Sequence, residues 1–102
     1  MKHLLSSTSY LVVNKYLAAR IGLHPVVLLA DLISKEQYFI NHGMIQDGYF
    51  YNTRENIERD TTLSRYQQTA SIKILKDHNF IDTKVMGMPA TTHYKILGTN
   101  NT

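Results

Sequence analysis

The residues best suited to do chemistry lie together near the middle of the chain. Within ten residues of Ser64 come an arginine, a tyrosine, a glutamine, a threonine and a lysine, namely Arg65, Tyr66, Gln67, Thr69 and Lys73. Arginine can hold the major-groove edge of guanine through two hydrogen bonds, and glutamine can do the same for adenine. Tyrosine, threonine and serine more often bond to phosphates. These residue types, with Ser64 included, indicate a surface for nucleic acid, although a polar helix face is more often simply solvated.

The basic residues are concentrated in the second part of the chain. Residues 61–102 contain five basic and two acidic side chains, whereas residues 1–60 contain six of each, so the formal net charge of +3 lies after residue 60. Contacts with roughly three to five phosphates would make binding sensitive to salt, yet weak for a monomer. The residues expected to hold phosphates are Lys76, Lys84, His93 and Lys95.

Other kinds of chemistry have little support. The chain has no cysteine, which excludes a disulfide, a thiolate nucleophile and a cysteine-bound zinc. The five histidines are scattered, no two are four residues apart, and no acidic cluster accompanies them. The sequence also has no glycine-rich loop that could bind phosphates. From these observations together we expect no metal, no cofactor and no enzyme activity. SSTS interrupts the apolar N-terminal segment and PVVLLA is too short to span a membrane, so a cytoplasmic protein is expected.

The polar stretch is predicted to lie at the start of a helix. Ser64-x-x-Gln67 is a capping-box pattern that opens a helix over 65–78, and Asn79 suits a left-handed helix end. Asn52-x-x-Glu55 predicts an earlier helix over 53–59, with a turn at 60–63 between the two. Two further helices are predicted over 12–21 and 25–41. Strands are predicted at 49–51, after an Asp47-Gly48 turn, and at 81–85 and 91–97 around a tip at 86–90.

This order of elements predicts a winged helix-turn-helix. Two helices joined by a short turn and followed by a β-hairpin define that motif, and its second helix presents its first turns to the DNA major groove. The predicted fold is α+β, mostly α, with about four helices and a C-terminal β-hairpin wing. One domain is expected over 1–97, with the helix-turn-helix at about 53–79, the wing at about 81–97 and a flexible tail at 98–102. Gln68 lies in the inward-facing row of its helix, where an apolar residue is expected.

Half of the chain also resembles a known group of domains. The stretch from Asp47 to Ile96 combines an aromatic strand, Asn-Thr, a Thr-Leu-Ser turn, Tyr-x-Gln, a late Ile-x-x-Leu and a Gly-x-Pro-Ala tip. It resembles the winged-helix domains of small phage, plasmid and genomic-island proteins of low-GC Gram-positive bacteria, many of them replication-initiator-like or accessory replication proteins. Asn79-Phe80 departs from the Gly-Leu usual there.

The resemblance implies a DNA-binding protein of a mobile genetic element that acts in replication or its control. Its DNA could be duplex or single-stranded, because Tyr49 and Tyr51 could also stack on bases. The alternatives are an adaptor that recruits a replication helicase, primase or polymerase, and a transcriptional repressor. A homodimer is a further expectation, since the second helix is apolar nearly all round. The residues expected at its interface are Val26, Val27, Ala30, Ile33 and Phe39.

Overall fold

The chain folds into helices that pack against one face of a small sheet. The structure is a computed structural model that describes residues 10–98, which form four helices and a three-stranded antiparallel sheet. The helices are α1 (Lys15–Ile21), α2 (Leu23–Asn41), α3 (Arg54–Thr61) and α4 (Arg65–Asp77), and the strands are β1 (Phe50–Tyr51), β2 (Ile81–Met86) and β3 (Thr91–Ile96). This α+β, mostly helical arrangement is compatible with a winged helix, so the predicted fold class is confirmed.

Some of the predictions concern residues at the two ends of the chain. The SSTS segment, and all of the expected tail except Gly98, lie outside the described residues. No helix in the described part of the chain has the length and apolar character needed to cross a membrane.

The two N-terminal helices begin at other residues than the sequence pattern predicted. α1 begins at Lys15 rather than Val12, because the side chain of Asn14 accepts a hydrogen bond from the backbone N–H of Leu17 at 2.9 Å and so caps the helix. α2 begins at Leu23, two residues earlier than predicted. Gly22, with φ 101°, separates the two helices, and Pro25 is accommodated in the first turn of α2.

The core lies between α2 and the sheet. α2 packs against α1, α3, α4 and β3, and its residues Leu28, Leu29 and Leu32 are buried. The other buried apolar side chains come from every remaining part of the fold except α1, and they are Phe50, Ile57, Leu63, Leu75, Ile81 and Tyr94. Both the helix-turn-helix and the hairpin therefore pack against α2.

The sheet separates inward-facing from outward-facing side chains. β3 lies between β1 and β2, and Tyr94 on β3 is aligned with Phe50 on β1 and Thr83 on β2. Tyr94 and Phe50 are fully buried, so this row faces the core. Successive strand residues point to opposite faces, and the neighbouring row, Tyr51, His93 and Lys84, therefore faces outward.

The turn before β1 has the predicted conformation. Asp47 and Gly48 have φ values of 56° and 84°, and Gln46 and Tyr49 pair across the turn. Positive φ at both central residues is the geometry that an Asp-Gly pair favours.

A charged cluster joins α2 to α3. Lys35 Nζ lies 3.1 Å from Asp31 Oδ2 and 2.7 Å from Asp60 Oδ2, and Arg59 also bonds to Asp60. Burial raises the pKa of the Asp31 carboxyl, against the opposing effect of Lys35. The hydrogen bonds from Arg59 lower the pKa of Asp60. The buried Asp31 carboxylate therefore lies beside a cation, Lys35, that offsets its charge.

Candidate nucleic-acid interface

The start of α4 is fixed by the predicted capping box. Ser64 Oγ accepts a hydrogen bond from the Gln67 N–H at 3.2 Å, and Gln67 Oε1 accepts one from the Ser64 N–H at 2.9 Å. Both residues were predicted to contact DNA, and both side chains already use an oxygen in the cap. Gln67 is also half-buried. In this conformation the Gln67 side chain cannot offer both its oxygen and its amide group to an adenine.

The predicted cap of α3 is shifted by one residue. Thr53, not Asn52, is the N-cap, and its Oγ1 accepts from the backbone N–H of Asn56 at 3.0 Å. Asn52 instead accepts a hydrogen bond from the Thr53 N–H at 3.0 Å through Oδ1. Two adjacent residues could each cap this helix, and the sequence pattern identified the wrong one.

Five of the predicted contact residues on α4 are exposed, namely Lys76 and the four residues that precede it in this set. Arg65, Tyr66, Thr69 and Lys73 all reach solvent, and Tyr66 is 83% exposed. Their spacing of three and four residues places neighbouring members on one side of the helix. Asn79, just after α4, has φ 61°, which confirms the predicted left-handed helix end.

Neighbouring side chains hold this exposed row in place. Arg65 Nη2 lies 2.8 Å from Glu55 Oε2, and Lys73 Nζ lies 3.1 Å from Asp77 Oδ2. Arg54 Nη1 donates to Thr69 Oγ1 at 3.0 Å and also approaches the carbonyl of Arg65 at 3.5 Å. Arg54 is a candidate contact residue that the sequence pattern missed, because it belongs to α3 and reaches α4 only in the folded chain.

The hydrogen bonds of Gln68 explain why a polar residue lies in the inward-facing row of α4. It is fully buried, and its Nε2 donates to the carbonyl of Arg54 at 3.1 Å and to that of Leu63 at 2.9 Å. The side chain therefore ties α4 to the first residue of α3 and to the turn between them. A leucine there could not satisfy those two carbonyl groups.

The basic residues of the hairpin lie on the outer face of the sheet. Lys84 is directly opposite His93, and Lys95 is opposite Asp82. The Nζ atoms of Lys84 and Lys95 each lie 5.6 Å from the centre of the Tyr49 ring. The hairpin tip itself presents Met88, which is 98% exposed.

Two further hydrogen bonds order this region. The hydroxyl of Tyr49 donates to Asp82 at 2.6 Å, which raises the pKa of Tyr49 and lowers that of Asp82. Lys76 Nζ donates to Thr83 Oγ1 at 3.1 Å, so this predicted phosphate contact joins the end of α4 to β2.

The residues predicted at a dimer interface are in different environments. Val26 is buried within the protomer, and the Phe39 ring lies 5.9 Å from that of Phe50, against the core. Both side chains therefore take part in packing within the protomer, and the predicted interface stays a prediction. Val27 and Ala30 are half-buried, and Ile33 is 40% exposed.

Comparisons with known proteins bear on the fold. No protein-family model matches the chain, and no curated protein matches it. The structure is similar to a solved chain described as belonging to a Rep–DNA complex, with a TM-score of 0.70 and 13% sequence identity. The similarity covers 91% of this chain and 78% of the other.

Within residues 10–98, no three His, Asp or Glu side chains come together in a group that could hold a metal ion.

Proposed function

We propose that this protein is a non-catalytic DNA-binding protein that acts in replication or its control. The observation that carries the proposal is the exposed row on α4, which combines cations and hydrogen-bonding side chains. It lies on the second helix of the motif, in a fold similar to that of a chain from a Rep–DNA complex. The resemblance seen in the sequence supports a mobile genetic element as its setting and the cytoplasm as its location.

The proposed binding mode places the first turns of α4 in the major groove. The groove is about 12 Å wide and accepts one α-helix. Arg65 and Tyr66, at the exposed start of α4, would reach furthest into it, with Thr69 and Lys73 along the same row. Arg65 would exchange its surface ion pair with Glu55 for a base edge or a phosphate, and such exposed pairs are weak enough to exchange.

The outer face of the sheet would add a second contact. Lys84, His93 and Lys95 surround Tyr49 and Tyr51 there, and the Tyr51 ring lies 5.8 Å from that of His93. Basic and aromatic side chains together are typical of surfaces that bind single strands. This arrangement supports single-stranded DNA as a second ligand beside duplex.

A protein-recruiting adaptor is the second candidate function. The observation in its favour is that α2 leaves apolar side chains exposed, with Ile33 at 40%, Tyr38 at 52% and Ile40 at 51%. An exposed apolar surface of this kind fits a replication helicase, primase or polymerase, or a second copy of the chain. A transcriptional repressor would use the same α4 surface as the first proposal, with a different target site.

The test is fluorescence anisotropy with labelled single-stranded and double-stranded oligonucleotides of random sequence at two salt concentrations. Duplex binding that weakens steeply with salt is expected for a helix in the major groove. A preference for single strands would transfer the main contact to the outer face of the sheet. An absence of binding to either at low salt would contradict the proposal and favour the adaptor.

A further inference from the structure

We infer that a cleft between α3, α4 and β3 receives one phosphate of the DNA backbone, with two of its lining residues, Asn52 and Tyr94, as hydrogen-bond donors. This inference rests on the proposed DNA-binding function and adds a specific contact to it. The cleft has a volume of about 220 Å³. Arg54 and Glu55 line it from α3, Arg65 from α4, and Thr92 and Tyr94 from β3.

Two buried donors without a partner distinguish this cleft. Asn52 is 3% exposed and Tyr94 is fully buried, yet Asn52 Nδ2 and the Tyr94 hydroxyl have no hydrogen-bond partner among the described residues. A buried polar group left unpaired costs about 1–3 kcal/mol, so such groups are uncommon unless a ligand or a water completes them.

The chemistry of the two groups selects the kind of ligand. Asn52 Oδ1 accepts from the Thr53 N–H, which fixes the orientation of the amide and leaves its NH2 group as the unused side. The Tyr94 hydroxyl also carries a hydrogen to donate. Two unused donors and two arginine side chains that line the same cleft complement an anion rich in acceptor oxygens. The third buried side-chain atom that lacks a partner in the described part of the chain is Gln68 Oε1. It is an acceptor, and Gln68 does not line the cleft.

The charges around the cleft fit an anion, and the position of Arg65 points to a phosphate of DNA as that anion. Arg54 and Arg65 outnumber Glu55, and the N-terminal end of α3 adds its partial positive charge. Arg65 belongs both to this cleft and to the exposed row on α4, so a strand that follows the row passes the mouth of the cleft. The side chains of Arg65 and Glu55 are 64% and 75% exposed, so their ion pair can open for a phosphate.

The decisive variant is Tyr94→Phe, which removes the hydroxyl and nothing else. The hydroxyl has no hydrogen-bond partner within residues 10–98, so the midpoint of thermal unfolding should stay the same or rise. Affinity for a random-sequence duplex at low salt should fall by about 5–20-fold, because a hydrogen bond to a charged phosphate is lost. The control is Tyr16→Phe on the exposed face of α1, which removes a surface hydrogen bond from Arg20. It should leave DNA affinity unchanged and shift the unfolding midpoint only slightly.

A second measurement uses the unaltered protein. The side-chain amide protons of Asn52 are followed by NMR as duplex is added, and a shift that saturates together with the backbone signals of α4 is expected. Binding by Tyr94→Phe equal to that of the wild type, or a stationary Asn52 amide while the α4 signals move, would overturn the phosphate site and leave water as the occupant of the cleft. If the wild-type protein binds no DNA at all, the proposed function fails and this site fails with it.

Discussion

The polar regions at the two ends of α3, the cluster at Asp60 and the cleft at Arg54, differ in whether their buried polar groups have hydrogen-bond partners. On one side, Asp31 is 3% exposed and both of its oxygens accept hydrogen bonds from Lys35. On the other, Asn52, Gln68 and Tyr94 each keep a buried atom that no described residue satisfies. The first region is complete within the chain, whereas the second has hydrogen-bonding capacity left over.

This difference indicates what each region contributes. A satisfied charge cluster joins α2 to α3 and is formed within the protein itself, without a ligand. An unsatisfied group lowers the stability of the free protein and is retained most readily where a partner completes it. We therefore expect substitutions in the Asp31 cluster to change folding. We expect substitutions of the exposed side chains around the α4 start, apart from the helix cap Ser64, to change binding.

The largest effect is expected for Lys35→Met. The substitution leaves the buried Asp31 carboxylate without its cation. Loss of one partner of a buried ion pair lowers the free energy of unfolding by about 3–5 kcal/mol. Because Lys35 is partly exposed, we expect a loss of about 2–4 kcal/mol. Urea unfolding measures this, while DNA affinity of the folded fraction should not change. Arg59→Gln is the control, because Arg59 is exposed and loss of its surface pair with Asp60 should change the free energy of unfolding far less. Equal losses of unfolding free energy in Lys35→Met and Arg59→Gln would contradict the special role assigned to the buried Asp31–Lys35 pair.

Arg65→Ala should have the largest effect on binding. Loss of a base or phosphate contact from arginine costs about 1–3 kcal/mol, which is roughly 5–150-fold in affinity. Anisotropy with duplex DNA measures it, and thermal unfolding should change little because the side chain is exposed. Glu55→Gln is the matched variant, and it should bind more tightly than the wild type because Arg65 is released. Full affinity in Arg65→Ala would remove the α4 row from the interface.

Ser64→Ala should lower the stability of the fold by about 1 kcal/mol. It removes the side-chain acceptor that caps α4, and cap losses of this kind have that size. Chemical unfolding would show the loss, and Ser64→Asp, which keeps an acceptor oxygen, should restore most of it. If both variants were as stable as the wild type, the cap would not limit the stability of the domain.

A smaller effect, below about 1 kcal/mol, is expected for Asp60→Asn, and it should depend on pH. The folded-state pKa of Asp60 lies below its ordinary value of 3.8, so its stabilising contribution is present above that pH and is lost as the pH falls through the folded pKa. Asp31 has the opposite sign, because its raised pKa means that its cost is relieved on acidification. Unfolding at a series of pH values should show Asp60→Asn and wild type converging in acid; a constant difference would contradict this.

Lys84→Ala should have the smallest effect, about 2–3-fold in affinity for every sequence. If Lys84 neutralises one phosphate, the slope of log affinity against log salt should become shallower by about one. Lys15→Ala on α1 is the control and should leave the slope as it is. A slope in Lys84→Ala equal to that of the wild type would exclude the outer face of the sheet from the interface.

Local signals allowed much of the fold to be predicted from the sequence. The Ser64–Gln67 box, the left-handed Asn79 and the Asp47-Gly48 turn each depend on a few adjacent residues, and each has the predicted geometry. Local reasoning was wrong where neighbouring residues competed for one role, as Asn52 and Thr53 did for the cap of α3.

The candidate site was less accessible to sequence reasoning than the fold. Arg54 and Tyr94 join the surroundings of Arg65 only through packing between α3, α4 and β3. Arg54 and Tyr94 are each more than ten residues from Arg65 along the chain, and no periodic sequence pattern connects them to it. The face occupied by Lys84 and His93 likewise follows from the pairing of β2 with β3.

The central position of β3 also restricts where the length of this chain can vary. Inserting one residue within β3 would exchange its faces, so that Tyr94 would leave the core while a charged neighbour entered it. The tip between β2 and β3 is exposed and is joined to the sheet only at its two ends. We therefore expect natural variants of this protein to gain or lose residues at the tip and to keep the length of β3 constant.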